Sequence, residues 1–220
     1  MNKIILLVGA SGSGKTTIGK KLEERFIPQL VSFTTRPKRE GEVEGEDYYF
    51  KQDGAISTDD SRIVIESSTY GNNEYGLYKD EIDSKLERGD VYFICNKDGA
   101  EQIIEFYPDQ VVYFWIQIDV ATMIERMRKR GDEEKNILDR IEHAVETSEL
   151  VVPDYFEYVG DKRVSKFYPI YATTHLKENV DFIFNVLRHN QWQGERVFEI
   201  FYVRKIRTCC CFRVEDSKNR

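Results

Sequence analysis

Residues Gly9-Ala10-Ser11-Gly12-Ser13-Gly14-Lys15-Thr16 follow the spacing G-x-x-x-x-G-K-T, the first group in the chain with an obvious chemical use. A polyphosphate needs many N–H donors at close range, and only a backbone free of bulky side chains can curl around it, so glycines take the turn positions. Lys15 can reach the outer phosphates, and the Thr16 hydroxyl can hold Mg²⁺. Thr17 follows on the same turn. The expectation is ATP or GTP bound with magnesium by Gly9 through Thr17. Two further groups carry charge suited to phosphate: Arg36 and Arg39 with Glu42 and Tyr48, and Arg126, Arg130 and Arg140.

These groups need a scaffold. Ile4-Ile5-Leu6-Leu7-Val8 reads as a buried strand, and from Thr17 to Phe26 apolar residues recur at helical spacing, with Ile18, Leu22 and Phe26 on one side. Asp90–Asn96 and Gln110–Ile118 hold two more apolar runs of buried-strand type. Helices are expected over Lys79–Arg88, Gly99–Phe106, Ala121–Arg130 and Glu133–Leu150, with Gly89 and Gly131 at the C-cap positions. Phe167–Ala172 reads as a further strand and Glu178–Asn190 as a final core helix. Strands and helices that alternate in this way favour a parallel sheet covered on both faces. Between Ser32 and Tyr78 the pattern changes to short β-like pieces with turns at Gly41, Gly45 and Gly71-Asn72-Asn73, an inserted subdomain suited to a second ligand.

Hydrophobic residues make up 40% and charged residues 32% of the 220, ordinary usage for one folded protein with a sizeable core. The formal charge of −7 argues against nucleic acid or a membrane surface as partner, since both favour basic proteins. Lys3 before a short apolar run looks superficially like a secretory leader, but glycines and serines interrupt it and no cleavage region follows. No run approaches the roughly 18 apolar residues of a membrane span. Cys95 and Cys209-Cys210-Cys211 lack disulfide-framework or zinc spacing, so a reducing cytoplasm is the expected location. His143, His175 and His189 have no partners at catalytic spacing. The last 30 residues, Gln191–Arg220, carry seven basic and four acidic residues and an aromatic, β-prone stretch at Val197–Val203. An edge hairpin, a contact in a homodimer and a frayed terminus all remain open for it.

The stretch from Ser32 to Phe50, with Thr34-Thr35-Arg36, Arg39, Glu42, Gly45, Tyr48 and Phe50 at fixed spacing, resembles the signature of guanylate kinases. Those enzymes transfer the γ-phosphoryl group of ATP to GMP. The resemblance implies an α/β, three-layer P-loop fold with a mainly parallel sheet, an inserted mixed-β acceptor-binding subdomain and a helical lid. It also implies a division of the chain: residues 1–190 as the kinase-like domain and 191–220 as an extension. Within the domain, 1–31, 79–125 and 151–190 would form the core, 32–78 the acceptor subdomain and 126–150 the lid.

Charge explains the acceptor cluster, because a monophosphate must approach a donor that is already highly negative and bidentate arginines can hold it there. By resemblance, Ser32, Arg36, Arg39, Tyr48 and Tyr75 would bind the acceptor phosphate and Glu42 would support the pocket. Glu66, after Ile63-Val64-Ile65, would read guanine, which presents two adjacent donors to one carboxylate. Arg126, Arg130 and Arg140 would close over ATP and stabilise the migrating phosphoryl group, for positioning and charge neutralisation dominate this chemistry. With Lys15 and Arg36 they are the expected catalytic residues. Mg²⁺ would accompany ATP, and dGMP is expected to serve beside GMP.

The chain departs from the family pattern at several positions. Leu77 stands where the family carries Ser or Thr to bond the base, and Ile94-Cys95-Asn96 replaces Asp-x-Asp at a strand end, leaving Asn96 to line the acceptor site and Asp98 as a nearby carboxylate. One lost neutral hydrogen bond is worth about 1 kcal/mol, enough to alter base selection. Thr173 replaces an Asn near the adenine, and Val159–Ser165 is an insertion. Two alternatives therefore stay open at this point: a phage-like deoxynucleoside-monophosphate kinase of altered base preference, and a non-catalytic guanylate-kinase-like interaction module.

Overall fold

A computed structural model describes residues 1–51, 64–70, 73–152, 167–172 and 175–189, without the side chains of 66–70 and 189. The expected turn at Gly71-Asn72, the Val159–Ser165 insertion, Thr173, the cysteine triplet and the tail from 191 lie outside these residues. The chain divides into two units, Met1–Asn179 and Val180–Arg220. Among the described residues no helix is long and apolar enough to cross a membrane.

In the first unit, strand β1 (Ile4–Val8) lies at the centre of a parallel sheet and all five of its residues are fully buried. β6 (Val91–Cys95) flanks it on one side and β7 (Val111–Gln117) on the other, with β8 (Phe167–Tyr171) beyond β7. Ladder partners run from Ile4 with Val91 and Val111 to Val8 with Cys95 and Trp115, so Val8 ends level with both neighbours. Such a switch point, where connections depart to opposite sides, opens a crevice at the carboxyl ends of the strands.

The two faces of β1 bury different helices. Ile4, Leu6 and Val8 join Ile82 and Leu86 of α2 (Lys79–Leu86) and Ala100, Ile103 and Ile104 of α3 (Lys97–Phe106) in one apolar cluster. On the opposite face lies α1 (Lys15–Glu23), whose Gly19 comes so close to Tyr92 that a Cβ would stand 2.6 Å from its ring. Full burial of one such aliphatic side chain is worth about 1.5–3 kcal/mol, which fixes the strand in this register.

A second, mixed sheet has the order β3-β2-β5-β4. It comprises β2 (Phe33–Thr34), β3 (Tyr49–Phe50), β4 (Val64–Tyr70) and β5 (Asn73–Tyr78). β2 runs parallel to β3 and antiparallel to β5, and β4 pairs antiparallel with β5 through a bulge between Val64 and Glu66. This is the separate sheet that the change of pattern after Ser32 anticipates. Two helices follow β7: α4 (Val120–Arg130), capped by Asp119, which accepts from the Thr122 amide at 2.8 Å, and α5 (Glu134–Glu146). α6 (Leu176–His189) extends into the second unit, where Val180, Ile183 and Val186 are buried.

Two expectations need correction. Phe26 is not on the buried side of α1: the helix ends at Glu23, Phe26 takes a left-handed φ of 63°, and its side chain is 96% exposed. The Ile27 amide then returns to the Leu22 carbonyl at 3.1 Å, and Ile27 takes the core place. Gly89 does not cap α2, whose C-cap is Glu87, whereas Gly131 does cap α4 with φ 89°.

Candidate active site

The glycine-rich loop starts where β1 leaves the sheet. Gly9 has φ +143°, and a Cβ there would lie 2.4 Å from the Ile116 carbonyl oxygen of β7, so neither the conformation nor the space admits another residue. Gly14, in the left-handed region with φ 98°, is the N-cap of α1 and supplies no side-chain cap. The first amides of α1 therefore keep their donors, and the positive end of the helix dipole faces the loop. A helix start of this kind binds anions.

Lys15 lies across the loop, donating to the Gly9 carbonyl at 2.5 Å and the Ala10 carbonyl at 2.9 Å. Burial pushes its ammonium down to about 8, against the opposing pull of Glu149 and Cys95, while Arg140 and Arg130 lower it further. Arg140 and Arg130 thus share one electrostatic field with the loop lysine. Thr16 and Thr17 are exposed on the first turn of α1. Ser13 is buried, and its hydroxyl has no partner among the described residues.

Arg126 belongs to α4, alongside the buried Met123 and Met127, and braces the loop. Its Nη1 donates to the Gly12 carbonyl at 3.1 Å and its Nη2 to the Ala172 carbonyl at 2.7 Å. Arg140, on α5, donates to Ser11 Oγ at 2.7 Å. Arg130 is ion-paired with Asp132. That hydrogen bond holds the Asp132 carboxyl below its usual range, helped by the charges of Arg140 and of Arg39 from the inserted segment. Arg128, on the exposed side of α4, pairs with Glu134.

The second cationic group sits on the mixed sheet. Arg36 makes a bidentate pair with Glu42, Nη2 to Oε1 at 2.6 Å and Nη1 to Oε2 at 3.1 Å. Glu42 also accepts from the Arg39 amide at 2.7 Å. The hydrogen bond from Arg36 pulls the Glu42 carboxyl below its ordinary value and raises the arginine in turn. The Arg36 guanidinium lies 5.5 Å from the centroid of Tyr48, which meets Tyr75 edge-on at 5.9 Å. Burial raises the Tyr48 phenol, which keeps it a donor. The Ser32 carbonyl is taken by the Tyr49 amide at 2.9 Å, and the Arg39 side chain is exposed.

Three positions depart from a simple pocket reading. Asn96 is the N-cap of α3, where its Oδ1 accepts from the Gly99 amide at 2.8 Å. Leu77 is fully buried in the apolar cluster with Ile65, Ile82 and Ile103. Glu66 stands opposite Leu77 in the β4–β5 ladder, and its side chain lies outside the described residues. Leu77 is thus a packing residue. Leu77→Ser is expected to lower stability by about 3–5 kcal/mol, from the cavity and a buried hydroxyl, and to leave the ranking of acceptor bases unchanged. Urea unfolding together with an acceptor panel would show both.

A glycine loop at the carboxyl end of a central parallel strand, opening a helix and crossed by a lysine, defines a P-loop phosphate-binding protein. Comparison narrows the class. A family model described as guanylate kinase matches residues 1–165. The guanylate kinase of Legionella pneumophila (strain Paris) is 36% identical over 166 residues, covering 70% of this chain and 79% of its own. That of Oceanobacillus iheyensis is 34% identical over 185 residues, covering 79% and 88%. The crystal structure of guanylate kinase from Anaplasma phagocytophilum shares the fold, with a TM-score of 0.60 at 23% identity over 88% of this chain and 87% of that one. This chain belongs to the guanylate kinase family.

Proposed function

We propose that this protein transfers the γ-phosphoryl group of ATP to GMP, and to dGMP, giving ADP and the nucleoside diphosphate. The observation that carries the reading is the pair of cationic groups on separate elements: Lys15 with the amides of α1 for a donor, and Arg36 with Tyr48 and Tyr75 for an acceptor.

Among the described residues no three acidic, histidine or cysteine side chains gather to hold a metal unaided. An exposed Thr16 hydroxyl beside substrate phosphates fits Mg²⁺, which keeps several waters and binds through few protein ligands. Thr16 would hold it, and when bound it would offset phosphate charge. Lys15 and the loop amides from Gly9 to Thr17 would grip the donor phosphates. Arg36, Arg39, Tyr48, Tyr75 and Ser32 would orient the acceptor phosphate, with Glu42 aiming Arg36, Glu66 reading guanine and Asn96 at the pocket edge. Arg126, Arg130 and Arg140 would stabilise the charge that spreads over the transferring group. An acceptor phosphate oxygen is already anionic, so no general base is required.

The test is ADP production from ATP and Mg²⁺ with GMP, dGMP, AMP, CMP, UMP and dTMP in turn. GMP and dGMP are expected to give the highest turnover. Equal background ATPase with every acceptor would refute the kinase reading, and a higher rate with dTMP or CMP would replace it by the altered-preference alternative.

A further inference from the structure

The hydroxyls of Thr34 and Thr35, at the end of β2, have no part in the mechanism above, and both bond to the main chain of one residue on β5. Phe33 faces Gly76 and Thr34 faces Tyr75 in the β2–β5 ladder, so the next pair in register is Thr35 and Glu74. A hydrogen-bonded pair of an antiparallel ladder exchanges two main-chain bonds, one in each direction. Here the Thr35 amide donates to the Glu74 carbonyl at 3.0 Å, but the Glu74 amide donates to Thr35 Oγ1 at 2.8 Å. A side chain has taken the place of the main chain in the last rung. Local bonding of this kind offers the backbone an alternative to the ladder, and β2 ends at Thr34.

Thr34 is fully buried, and its Oγ1 donates to the Glu74 carbonyl at 3.0 Å while accepting from the Arg36 amide at 3.2 Å. Its carbonyl takes the Lys51 amide at 2.8 Å, just past the end of β3. The two threonines therefore hold both the amide and the carbonyl of Glu74, and Thr34 holds the amide of Arg36 as well. Arg36 follows Thr35, and Tyr75 follows Glu74, so each stands one residue beyond the bonded pair. The ring of Tyr48 links their side chains, 5.5 Å from the Arg36 guanidinium and 5.9 Å from the Tyr75 ring.

We propose that Thr34 and Thr35 are positioning residues of the acceptor site: their hydroxyls clasp the end of β2 to Glu74 and so fix Arg36 against Tyr75 at the spacing one phosphate spans. The inference rests on the acceptor-site reading above. Neither threonine touches the acceptor; each acts through the main chain of a residue that does, or of its neighbour. Such placement matters because a shift of about 1 Å in a group that orients substrate can cost a hundredfold in rate. Removal of one hydroxyl leaves the other in place, so a smaller loss is expected from each alone.

The experiment is steady-state kinetics on the full chain, with GMP and ATP varied in turn. Thr34→Val keeps the branched shape without the hydroxyl, and is expected to lower kcat/KM for GMP about tenfold with KM for ATP within about twofold of the wild type. Thr35→Val should do the same, and is the second variant if Thr34→Val fails to fold. Thr34→Ser keeps the hydroxyl and should stay within about twofold of the wild type. In an Arg36→Ala background Thr34→Val should cost less than about twofold more, because the group it positions is gone. A merely structural role would lower kcat/KM by the same factor in both backgrounds, or equally for ATP and GMP. Either result, or unchanged kinetics with GMP in both valine variants, would overturn the clasp. If Arg36→Ala itself leaves the kinetics with GMP unchanged, the acceptor-site reading fails, and the clasp with it.

Discussion

Replacement of Lys15 by methionine is expected to lower kcat by about a thousandfold, the scale of one preorganised charge removed from a developing negative transition state. Methionine keeps the length of the side chain and loses the two carbonyl contacts and the charge. Stability should not follow activity. The folded-state pKa of Lys15 is about 8, below the ordinary value of 10.5, so the charged lysine opposes folding at low pH and the opposition fades as pH rises between those values. At neutral pH the variant should therefore melt no lower than the wild type. Calorimetry beside a coupled assay separates the two effects, and a collapse in melting temperature would mean that the lysine supports the loop instead. The same titration predicts that kcat/KM for ATP in the wild type falls as pH climbs through about 8, because the empty site loses its ammonium there.

The second large effect belongs to Arg36. Arg36→Ala is expected to raise KM for GMP by about a hundredfold, since two charge-assisted hydrogen bonds to a phosphate are worth about 1.5–3 kcal/mol each. Affinity for ATP should stay within about twofold, because Arg36 is committed to Glu42 on the mixed sheet, whereas Lys15, Arg126 and Arg140 are the side chains bonded to the glycine loop. Arg36→Lys should restore the charge but little of the binding, for an ammonium cannot present the planar fork that Glu42 now aims. Steady-state kinetics with each substrate varied in turn will show whether the loss falls on the acceptor alone. Equal loss for ATP and GMP would mean that Arg36 holds the structure together and does not bind the acceptor.

The loop was legible from the spacing of its residues because its requirement is local: tight backbone, many amides and a lysine at a fixed offset. The parallel sheet was legible for a similar reason, since β1 and β6 are apolar along their whole length and β7 is apolar as far as Ile116, as strands buried on both faces must be. Legibility ended where tertiary context chose between equivalent residues. Phe26 and Ile27 both suit a core, and a left-handed turn gave the place to Ile27. Leu77 stands beside a motif that reads as pocket, but α2 and α3 cover it. Arg126 reads as part of a closing lid, but its partners are main-chain carbonyls of the loop and of Ala172, which carry no side-chain signal. The burial of Glu149 at the end of α5 was hidden for the same reason as the exposure of Phe26, since the serine before it conceals the left-handed geometry that a glycine would have advertised.

The braces on the glycine loop bear on the thermodynamics of nucleotide capture. Arg126 holds Gly12, Arg140 holds Ser11, and Lys15 is fastened to Gly9 and Ala10 before any ligand arrives. Freezing one flexible side chain on association costs about 0.5–1.5 kcal/mol, and a backbone residue costs about 1–2 kcal/mol. In this protein much of that conformational entropy is surrendered during folding. ATP then exchanges hydrogen bonds with a loop that is already shaped, and its association should be largely enthalpic, with little ordering of the protein to oppose it.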